Sequence, residues 1–204
     1  MKKVIITGGN GDIAKGIISE LKINGEYEIY APGKEEMDVT DINSVKNYIN
    51  SIDPDILINN AGYIVPTTIS EYDIRNDKKS IEINLFGLFN CTGAVLNKNS
   101  EAIVINIGSS AGTKARGEWS SYCAAKAGVI MATKCWADEG VKTICISPGR
   151  TATKMRKALY PNEDQNTLLT TSQFAQVVLK AIKGEYDYGT NIDVNIHNIE
   201  ELLQ

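Results

Sequence analysis

Histidine is almost absent from this chain of 204 residues, which contains His197 alone. A Ser-His-Asp or Cys-His hydrolase needs a histidine beside its nucleophile, and zinc sites are usually built from histidines or paired cysteines. The cysteines form no C-x-x-C pair: they are Cys91, Cys123, Cys135 and Cys145. The sequence therefore argues against both kinds of site and against any metal, and it predicts reduced thiols in a cytoplasmic protein.

The chain also lacks a long apolar run and an excess of basic charge. No stretch approaches the roughly 20 apolar residues that span a bilayer. The N-terminus, "MKKVIITGG", reaches glycine without the longer apolar stretch and the small-residue cleavage site of a signal peptide. The formal net charge is -4, so no overall basic field attracts nucleic acid. We therefore expect neither a membrane nor a nucleic acid as partner.

Short apolar runs alternate with amphipathic stretches along the whole chain. Predicted strands cover residues 3–7, 28–31, 56–59, 102–107, 142–147 and 191–196, and predicted helices cover residues 12–24, 42–51, 79–96, 121–139 and 172–183. No linker or repeat divides the sequence, so we expect one domain, residues 1–204. The alternation predicts an α/β fold, a doubly wound parallel sheet of the Rossmann type with helices on both faces.

The first predicted strand ends in a glycine-rich turn, "TGGNGDIA", in which Gly8, Gly11 and Ala14 have G-x-x-G-x-x-A spacing. Glycine lets the backbone approach a pyrophosphate, and the helix that follows offers unpaired N–H groups. The position after the first strand favours a nucleotide site over a plain turn. Asp12 would repel a phosphate, so we interpret it as a first-turn acid that faces solvent.

The turn after the second predicted strand bears on the choice of cofactor. A site for NAD usually has an acid at this strand tip, where it binds the ribose 2′-hydroxyl. Here the tip reads "APGK", with no acid before Glu35. Lys34 is placed to meet a 2′-phosphate, which favours NADP, and the alternative is an exposed turn lysine. Asp38 is placed either to touch the adenine or to cap the helix that follows from Asp41.

Seven short motifs occur in a fixed order along the chain: "TGGNGDIA", "DVTD", "NNAG", "NLFG", "IGSSAG", "YCAAK" and "SPGRTAT". In this order and with these separations, the chain resembles the short-chain dehydrogenase/reductase family over nearly its full length. The resemblance implies an NAD(P)-dependent oxidoreductase. Such an enzyme transfers a hydride between nicotinamide and a carbonyl or secondary alcohol.

The resemblance implies a catalytic tetrad of Asn84, Ser109, Tyr122 and Lys126. Ser109 precedes Tyr122 by thirteen positions (109 to 122), as the family's serine does, and Ser110 is one position off. Tyr122 and Lys126 are four apart and would project from one face of a helix. A free phenol has a pKa near 10, and a nearby ammonium is expected to lower it.

Each member of this tetrad has an implied role. Tyr122 takes or gives the hydroxyl proton, and Ser109 hydrogen-bonds the substrate oxygen. By resemblance, Lys126 also binds the nicotinamide ribose, and Asn84 holds a water that links Lys126 to solvent. The alternative for Asn84 is a residue that caps or kinks a helix.

The resemblance also implies the residues that bind the cofactor. Gly62 gives room for the adenosine, while Thr151 and Thr153 hydrogen-bond the carboxamide. The alternative for "SPGRT" is a simple proline–glycine turn. The full set of expected cofactor contacts is Gly8, Asn10, Gly11, Ile13, Lys34, Asp38, Val39, Asn59, Ala61, Gly62, Tyr122, Lys126, Pro148, Gly149, Thr151 and Thr153.

The chain departs from the family in the region that covers the substrate, which is expected to be a short loop at about 150–171. Two stretches nearby are basic, which is typical of solvated surface charge, and the alternative is a set of contacts for an anionic substrate or for the NADP phosphate. The basic residues are Lys114, Arg116, Arg150, Lys154, Arg156 and Lys157. The resemblance implies a sugar, a sugar nucleotide or another small carbonyl compound as substrate.

Two further expectations concern assembly and an alternative function. Family members pair through the tyrosine-bearing helix and its neighbour, so the resemblance implies a homodimer or homotetramer. A redox-sensing or regulatory protein that binds the cofactor without turnover is the competing hypothesis. The short substrate loop, Asp12 and Ala14 favour it, whereas the joint presence of serine, tyrosine and lysine argues against it.

Overall fold

The apolar runs of the sequence form a six-stranded parallel sheet, seen in a computed structural model that describes residues 1–71 and 73–204. The strand order is β2-β1-β3-β4-β5-β6, and every neighbouring pair is parallel. The strands are β1 (Lys2–Ile6), β2 (Tyr27–Tyr30), β3 (Ile56–Asn59), β4 (Ile103–Ile107), β5 (Thr143–Pro148) and β6 (Asn191–Val194). The predicted α/β fold of Rossmann type is confirmed.

The amphipathic stretches form the helices that cover this sheet. They are α1 (Asp12–Asn24), α2 (Ile42–Asn50), α3 (Ile74–Ile81), α4 (Gly87–Lys98), α5 (Ser120–Asp138), α6 (Lys154–Leu159), α7 (Thr171–Ile182) and α8 (Ile199–Leu203). The single helix predicted at 79–96 is longer, because α3 continues through a π-helical turn at Glu82–Phe86 into α4. The short helices α6 and α8 were not predicted. None of the helices in the described part of the chain is long and apolar enough to cross a membrane.

Both faces of the sheet are buried, and successive residues of one strand serve opposite faces. In β1, Val4 and Ile6 pack with α1 and α7, through residues such as Ile17 and Phe174. Ile5 lies between them and packs on the other side, in the cluster that contains α2 and α4. This two-residue alternation explains why the strands read as continuous apolar runs.

The strand order places a crevice between β1 and β3. From β1 the chain moves outward to β2 and then returns to the other side of β1. In parallel sheets, ligands bind at such a reversal, outside the carboxyl ends of the strands. The glycine-rich turn follows β1 and "NNAG" follows β3 at this end of the sheet.

Gly16 allows a close crossing of α1 and α7. A Cβ at this position would lie 2.8 Å from the Thr171 carbonyl oxygen, whereas a Cβ on Gly93 of α4 would meet nothing within 4 Å. We expect Gly16→Ala to lower the free energy of unfolding by about 1–3 kcal/mol through overpacking. Gly93→Ala is the matched control and should raise it by about 0.5–1 kcal/mol, since alanine favours a helix. Urea titration measures both, and equal stabilities for the two variants would contradict the close crossing.

Candidate active site

A cavity of about 650 Å³ opens at the carboxyl ends of β1, β3, β4 and β5. Its wall joins the glycine-rich turn, the turn after β2, the turn after β3 and the first turns of α5 and α6. It contains many of the residues predicted from sequence: Gly8, Asn10, Gly11, Ile13, Lys34, Asp38, Val39, Ala61, Gly62, Tyr122, Lys126, Pro148 and Thr153. Most of the site residues predicted from the sequence therefore lie around this one cavity.

The glycine-rich turn packs its backbone against the neighbouring strand ends. Gly8 has a φ of 65°, in the left-handed region that favours glycine. A Cβ on Gly9 would clash with the Ala31 carbonyl oxygen just beyond β2. Gly11 is the N-cap of α1 and has no side chain to accept a hydrogen bond. The first N–H groups of α1 therefore remain available to an anion in the cavity.

Asp12 has a contact that the sequence analysis missed. It is half-buried, lines the cavity, and its Oδ2 accepts a hydrogen bond from the Lys154 N–H at 2.6 Å. Asp12 is thus the expected acid in the first turn of α1, and it also bonds the start of α6. The physical reason is α6, an unpredicted helix that places its N-terminus against α1.

The "NNAG" turn is fastened to β1 through Thr7. Thr7 Oγ1 accepts hydrogen bonds from the N–H groups of Asn60 and Ala61, both at 2.9 Å. Asn60 Nδ2 in turn donates to the carbonyl oxygens of Thr7 at 2.9 Å and Gly8 at 3.3 Å. Asn60 lines the cavity, although the sequence analysis did not select it.

Asn59, which was selected instead, points into the protein interior. Its Nδ2 donates to Thr92 Oγ1 at 3.0 Å and to Asn106 Oδ1 at 2.9 Å, and the residue is 6% exposed. Successive residues of a strand point to opposite sides, so a buried Asn59 at the end of β3 leaves Asn60 facing the turn. The alternation within "ILINN" was the signal that distinguishes them.

Lys34 and Asp38 form an ion pair at the edge of the cavity. Lys34 Nζ lies 3.7 Å from Asp38 Oδ2, and the lysine side chain is 71% exposed. Burial acts to raise the pKa of Asp38, but the hydrogen bonds from Thr40 and the charge of Lys34 outweigh it and hold the pKa below its usual range. Lys34 is thus both an exposed turn lysine and a cavity residue.

Lys126 and Tyr122 project from α5 towards the end of β4. Lys126 is 4% exposed and donates from Nζ to the Ile107 carbonyl oxygen at 2.7 Å. Its Nζ lies 5.8 Å from the centre of the Tyr122 ring. Burial lowers the pKa of Lys126 to about 8. The Tyr122 pKa is raised by burial, against the opposing effect of the Ser109 hydroxyl, so the expected lowering of this pKa is absent.

Ser109 approaches Tyr122 because the chain turns sharply after β4. Ser109 caps a one-turn 3₁₀ helix, Ser110–Gly112, and its Oγ accepts from the Ala111 N–H at 3.1 Å. This acceptor bond leaves the Ser109 hydroxyl proton for another partner. A Cβ on Gly112 would lie 2.8 Å from the Lys126 carbonyl oxygen, so the turn packs directly on α5. The predicted serine, tyrosine and lysine are therefore neighbours.

Asn84 lies beside this group within the π-helical turn. Its Nδ2 donates to the carbonyl oxygens of Tyr63 at 2.6 Å and Ser80 at 2.8 Å, and its Oδ1 accepts from the Tyr63 N–H at 3.2 Å. The side chain is buried and fastens the widened helix to the chain after "NNAG". These contacts are structural, and the water-holding role expected for Asn84 stays a prediction.

The end of β5 supplies Pro148 to the cavity wall, and the segment that follows supplies Thr153. Two other predicted contacts have structural bonds instead. The Gly149 N–H donates to Val194 at 2.7 Å, and Thr151 Oγ1 donates to the Gly149 carbonyl oxygen at 3.2 Å. The latter threonine is 5% exposed and lies outside the wall formed by the residues that the structure describes.

The predicted substrate loop contains α6 and an ionic clamp. Arg156 donates two hydrogen bonds to the Glu163 carboxylate, each at 2.7 Å, and Arg150 donates a third at 3.3 Å. These bonds hold the pKa of Glu163 below its usual range. Two members of the predicted basic cluster are therefore neutralised within the loop, whereas Lys154 lines the cavity.

Aromatic contacts connect this loop to the start of α5. The Arg156 guanidinium lies 4.0 Å from the centre of the Tyr160 ring. Trp119 stands between Tyr160 and Tyr122, with centroid separations of 6.3 Å and 5.8 Å. The loop is thus held beside Tyr122 by one row of side chains.

The donor groups fit a dinucleotide better than a metal. The cavity extends from Lys34 and Asp38 past the N-terminus of α1 to Tyr122 and Lys126. It offers backbone N–H groups and glycine surfaces at its middle, as a pyrophosphate requires. No group of His, Cys, Asp or Glu side chains suited to a metal ion occurs within residues 1–71 and 73–204.

Known proteins share this sequence and fold. A family model described as short chain dehydrogenase matches residues 2–164. The chain is similar to 3-oxoacyl-acyl-carrier-protein reductase FabG of Thermotoga maritima, with 28% identity over 91% of this chain and 84% of that protein. It is also similar to bifunctional ribulose 5-phosphate reductase/CDP-ribitol pyrophosphorylase Bcs1 of Haemophilus influenzae, with 27% identity over 97% of this chain and 44% of that protein. Among solved structures, ElxO with NADP bound has a TM-score of 0.84 and 25% identity, covering 95% of this chain and 97% of that chain.

Proposed function

The chain belongs to the short chain dehydrogenase family, and we propose that Ser109, Tyr122 and Lys126 are its catalytic residues. It is an NAD(P)-dependent oxidoreductase that transfers a hydride between nicotinamide and the carbon of a carbonyl or secondary alcohol. One observation carries the proposal: Tyr122 and Lys126 share a cavity wall with the glycine-rich turn. A regulatory protein without turnover is not favoured, because FabG and Bcs1 are both named as reductases.

The bound nicotinamide supplies or accepts the hydride. Tyr122 gives the proton from its hydroxyl to the substrate oxygen, and Ser109 donates a hydrogen bond to the same oxygen. Burial raises the pKa of Tyr122 and lowers that of Lys126, so the phenol keeps its proton at neutral pH. A protonated Tyr122 has a proton to donate to a substrate carbonyl oxygen. Asn84 contributes by fixing the turn after β3.

NADP is the proposed cofactor, with NAD as the alternative. Support comes from Lys34, whose exposed ammonium lies on the cavity edge where the second strand ends. A 2′-phosphate there would form a charge-assisted hydrogen bond with Lys34. The solved structure of ElxO, described as having NADP bound, shares the overall fold. Asp38 is close enough to orient Lys34 through their ion pair.

The proposed substrate is a small carbonyl compound with an anionic group. Lys154 in the cavity wall and the exposed Lys114 and Arg116 are the basic side chains that support this proposal. Arg150 and Arg156 no longer do, because both are bonded to Glu163. Bcs1 is named for a sugar phosphate, which is consistent with the sugar expected from sequence. Ribulose 5-phosphate and unphosphorylated ribulose therefore form a matched pair of test substrates.

The proposed assembly is a homodimer built on the outer face of α4 and α5, with a homotetramer as an extension of it. Phe86 and Phe89 near the start of α4 are 59% and 44% exposed, and Met131 on α5 is 58% exposed. The Phe89 ring packs edge-on against Trp136 at 5.0 Å, which joins the two helices into one apolar surface. A contiguous apolar surface of this kind favours burial against a second copy.

A cytoplasmic location is proposed on the chemistry of the thiols. Cys91 and Cys145 are buried and free, and Cys135 is exposed and free. An exposed free thiol is suited to a reducing compartment. Fractionation of cells that express the protein tests this, and recovery outside the cytoplasm would contradict it.

Tyr122→Phe should lower kcat for carbonyl reduction by about 100- to 10,000-fold, since it removes the proposed proton donor. The dissociation constant for NADPH should stay unchanged. Tyr160→Phe is the matched control because it removes a hydroxyl from the neighbouring loop and keeps the ring beside Trp119. NADPH absorbance decay measures the rates with ribulose 5-phosphate and ribulose. Full activity of Tyr122→Phe would refute the catalytic assignment, and equal rates for the two sugars would refute the anionic substrate.

Lys34→Gln should weaken NADPH binding by about tenfold, the effect of losing one charge-assisted hydrogen bond. Binding of NADH, which has no 2′-phosphate, should change by less than about twofold. Nicotinamide fluorescence titration measures both constants. Lys22→Gln, on the exposed far end of α1, is the control for the change of net charge. An equal loss of affinity for both cofactors would show that Lys34 does not read the phosphate.

Phe89→Asp should convert the dimer to a monomer, because it places a carboxylate in the apolar surface. Sedimentation equilibrium of the unmodified protein should give twice the chain mass of 22.3 kDa, and the variant should give the single mass. Ile69→Asp is the control, since Ile69 is 79% exposed but lies outside α4 and α5. A monomeric unmodified protein would contradict the proposed assembly.

A further inference from the structure

Asp12 is the charged side chain of the glycine-rich turn, and the proposed function does not use it. It lies in the first turn of α1 and lines the cavity together with Gly8 and Gly11. The N–H groups of this turn favour the pyrophosphate of a dinucleotide, whereas a carboxylate beside them repels it. Asp12 should therefore weaken cofactor binding, and its contact with another element indicates what it does instead.

This contact is with the start of α6. Asp12 Oδ2 accepts a hydrogen bond from the Lys154 N–H at 2.6 Å, between residues that are 142 positions apart. Lys154 is the first residue of α6, and the first N–H groups of a helix have no acceptor within the helix. Thr153 Oγ1 accepts the Arg156 N–H at 3.0 Å, so one adjacent and one distant side chain cap the same helix. The distant acceptor is a carboxylate, which forms the stronger kind of hydrogen bond.

Few other contacts hold the N-terminal end of α6. None of its six residues is buried, so apolar packing does little to fix the helix. The base of the loop is closed by the Leu169 N–H, which donates to the Arg150 carbonyl oxygen at 2.9 Å. Arg156, the third residue of the helix, is held by Glu163. Among the hydrogen bonds of the described residues, that of Asp12 is the one that joins α6 to the glycine-rich turn.

The start of α6 forms part of the cavity wall. Thr153, Lys154 and Met155 line the same cavity as Tyr122. Asp12 bonds the backbone of Lys154 and does not engage its ammonium, which forms no ion pair with the residues that the structure describes. The proposed function assigns this ammonium to an anionic group of the substrate. The bond from Asp12 therefore fixes the backbone that carries a substrate contact.

We propose that Asp12 is a positioning residue, whose carboxylate holds the start of α6 against the glycine-rich turn so that the Lys154 ammonium meets the anionic group of the substrate. The part that concerns the substrate rests on the proposed function, whereas the bond between Asp12 and α6 does not. An acceptor oxygen is enough for the positioning, and the charge is the property that opposes the cofactor. The two properties can be separated, because asparagine keeps an acceptor oxygen and has no charge.

Amide hydrogen exchange of the cofactor-free protein tests the bond without catalysis. The peptide that covers residues 152–160 should exchange about tenfold faster in Asp12→Ala, and less than about threefold faster in Asp12→Asn. Glu26→Gln is the control for the lost charge, since this exposed acid lies beyond the other end of α1, and it should leave the exchange unchanged. Equal exchange in Asp12→Ala and the unmodified protein would overturn the proposal.

The charge of Asp12 predicts an opposite effect on the cofactor. Asp12→Ala and Asp12→Asn should both bind NADPH about two- to fivefold more tightly, because each removes the carboxylate beside the pyrophosphate. Nicotinamide fluorescence titration measures the dissociation constants, and Glu26→Gln should leave this constant unchanged. Weaker binding of NADPH by both variants would show that Asp12 holds the cofactor turn itself, and it would overturn the assignment to α6.

Kinetics with the two sugars test the part that concerns Lys154. In Asp12→Ala the KM for ribulose 5-phosphate should rise about tenfold, while kcat and the KM for ribulose change by less than about twofold. Lys154→Gln should raise the same KM, and in the double variant the two effects should not multiply. A purely structural role would raise the KM for both sugars. An equal rise for both, or effects that multiply, would overturn the link from Asp12 to the substrate.

The outcomes separate this inference from the proposed function. Unchanged exchange in Asp12→Ala, together with an inactive Tyr122→Phe enzyme, refutes this inference alone. Faster exchange in Asp12→Ala, together with an active Tyr122→Phe enzyme, refutes the catalytic roles and leaves the bond to α6 standing. If Asp12→Ala does not fold, Lys154→Pro gives the same exchange test against Lys154→Gln, because proline removes the N–H at a helix position that tolerates it.

Discussion

The hydroxyl of Thr7 links the ends of β1 and β3, and the arrangement of the cavity depends on this link. It stands at the end of β1, where the sheet order reverses, and accepts the N–H groups of Asn60 and Ala61 beyond β3. These bonds fix the separation of the two strand ends, so the glycine-rich turn and "NNAG" face one crevice. Parallel sheets place their binding sites at such reversals because the loops on either side diverge there. The turn after β2 joins the same crevice because Gly9 lets it approach the backbone at Ala31.

Burial sets the chemistry at the other end of the cavity. Lys126 is nearly enclosed, and burial disfavours its ammonium while it also disfavours the phenolate of Tyr122. Tyr122 is therefore a protonated phenol at neutral pH, and Lys126 loses its proton more readily than an exposed lysine. Hydrogen bonds to Lys126 decide how much of it is charged at neutral pH, and the Ile107 carbonyl supplies one of them.

The sequence predicted those features that depend on local pattern. The predicted bounds of β3 match the observed ones, and many of the residues selected from the motifs line the cavity, where their binding roles stay predictions. Contacts between distant segments were not predictable. Asn59 and Asn60 are identical in type, and the alternation within "ILINN" distinguishes their directions but not the partners that each one meets. Arg156 looked like a contact for substrate, but a glutamate seven positions later neutralises it. The helix α6 has six residues, too few for an amphipathic pattern to emerge.

The loop that contains α6 is held by polar bonds instead of by a core of its own. None of the six residues of α6 is buried. Asp12 fixes its start to the glycine-rich turn, and Glu163 fixes its side to Arg156. Because the pKa of Glu163 is lowered in the folded state, this clamp is fully formed above the ordinary carboxyl value of 4.5 and is lost as pH falls below it. The loop is thus fastened at one end to the glycine-rich turn and, through Tyr160 and Trp119, to α5.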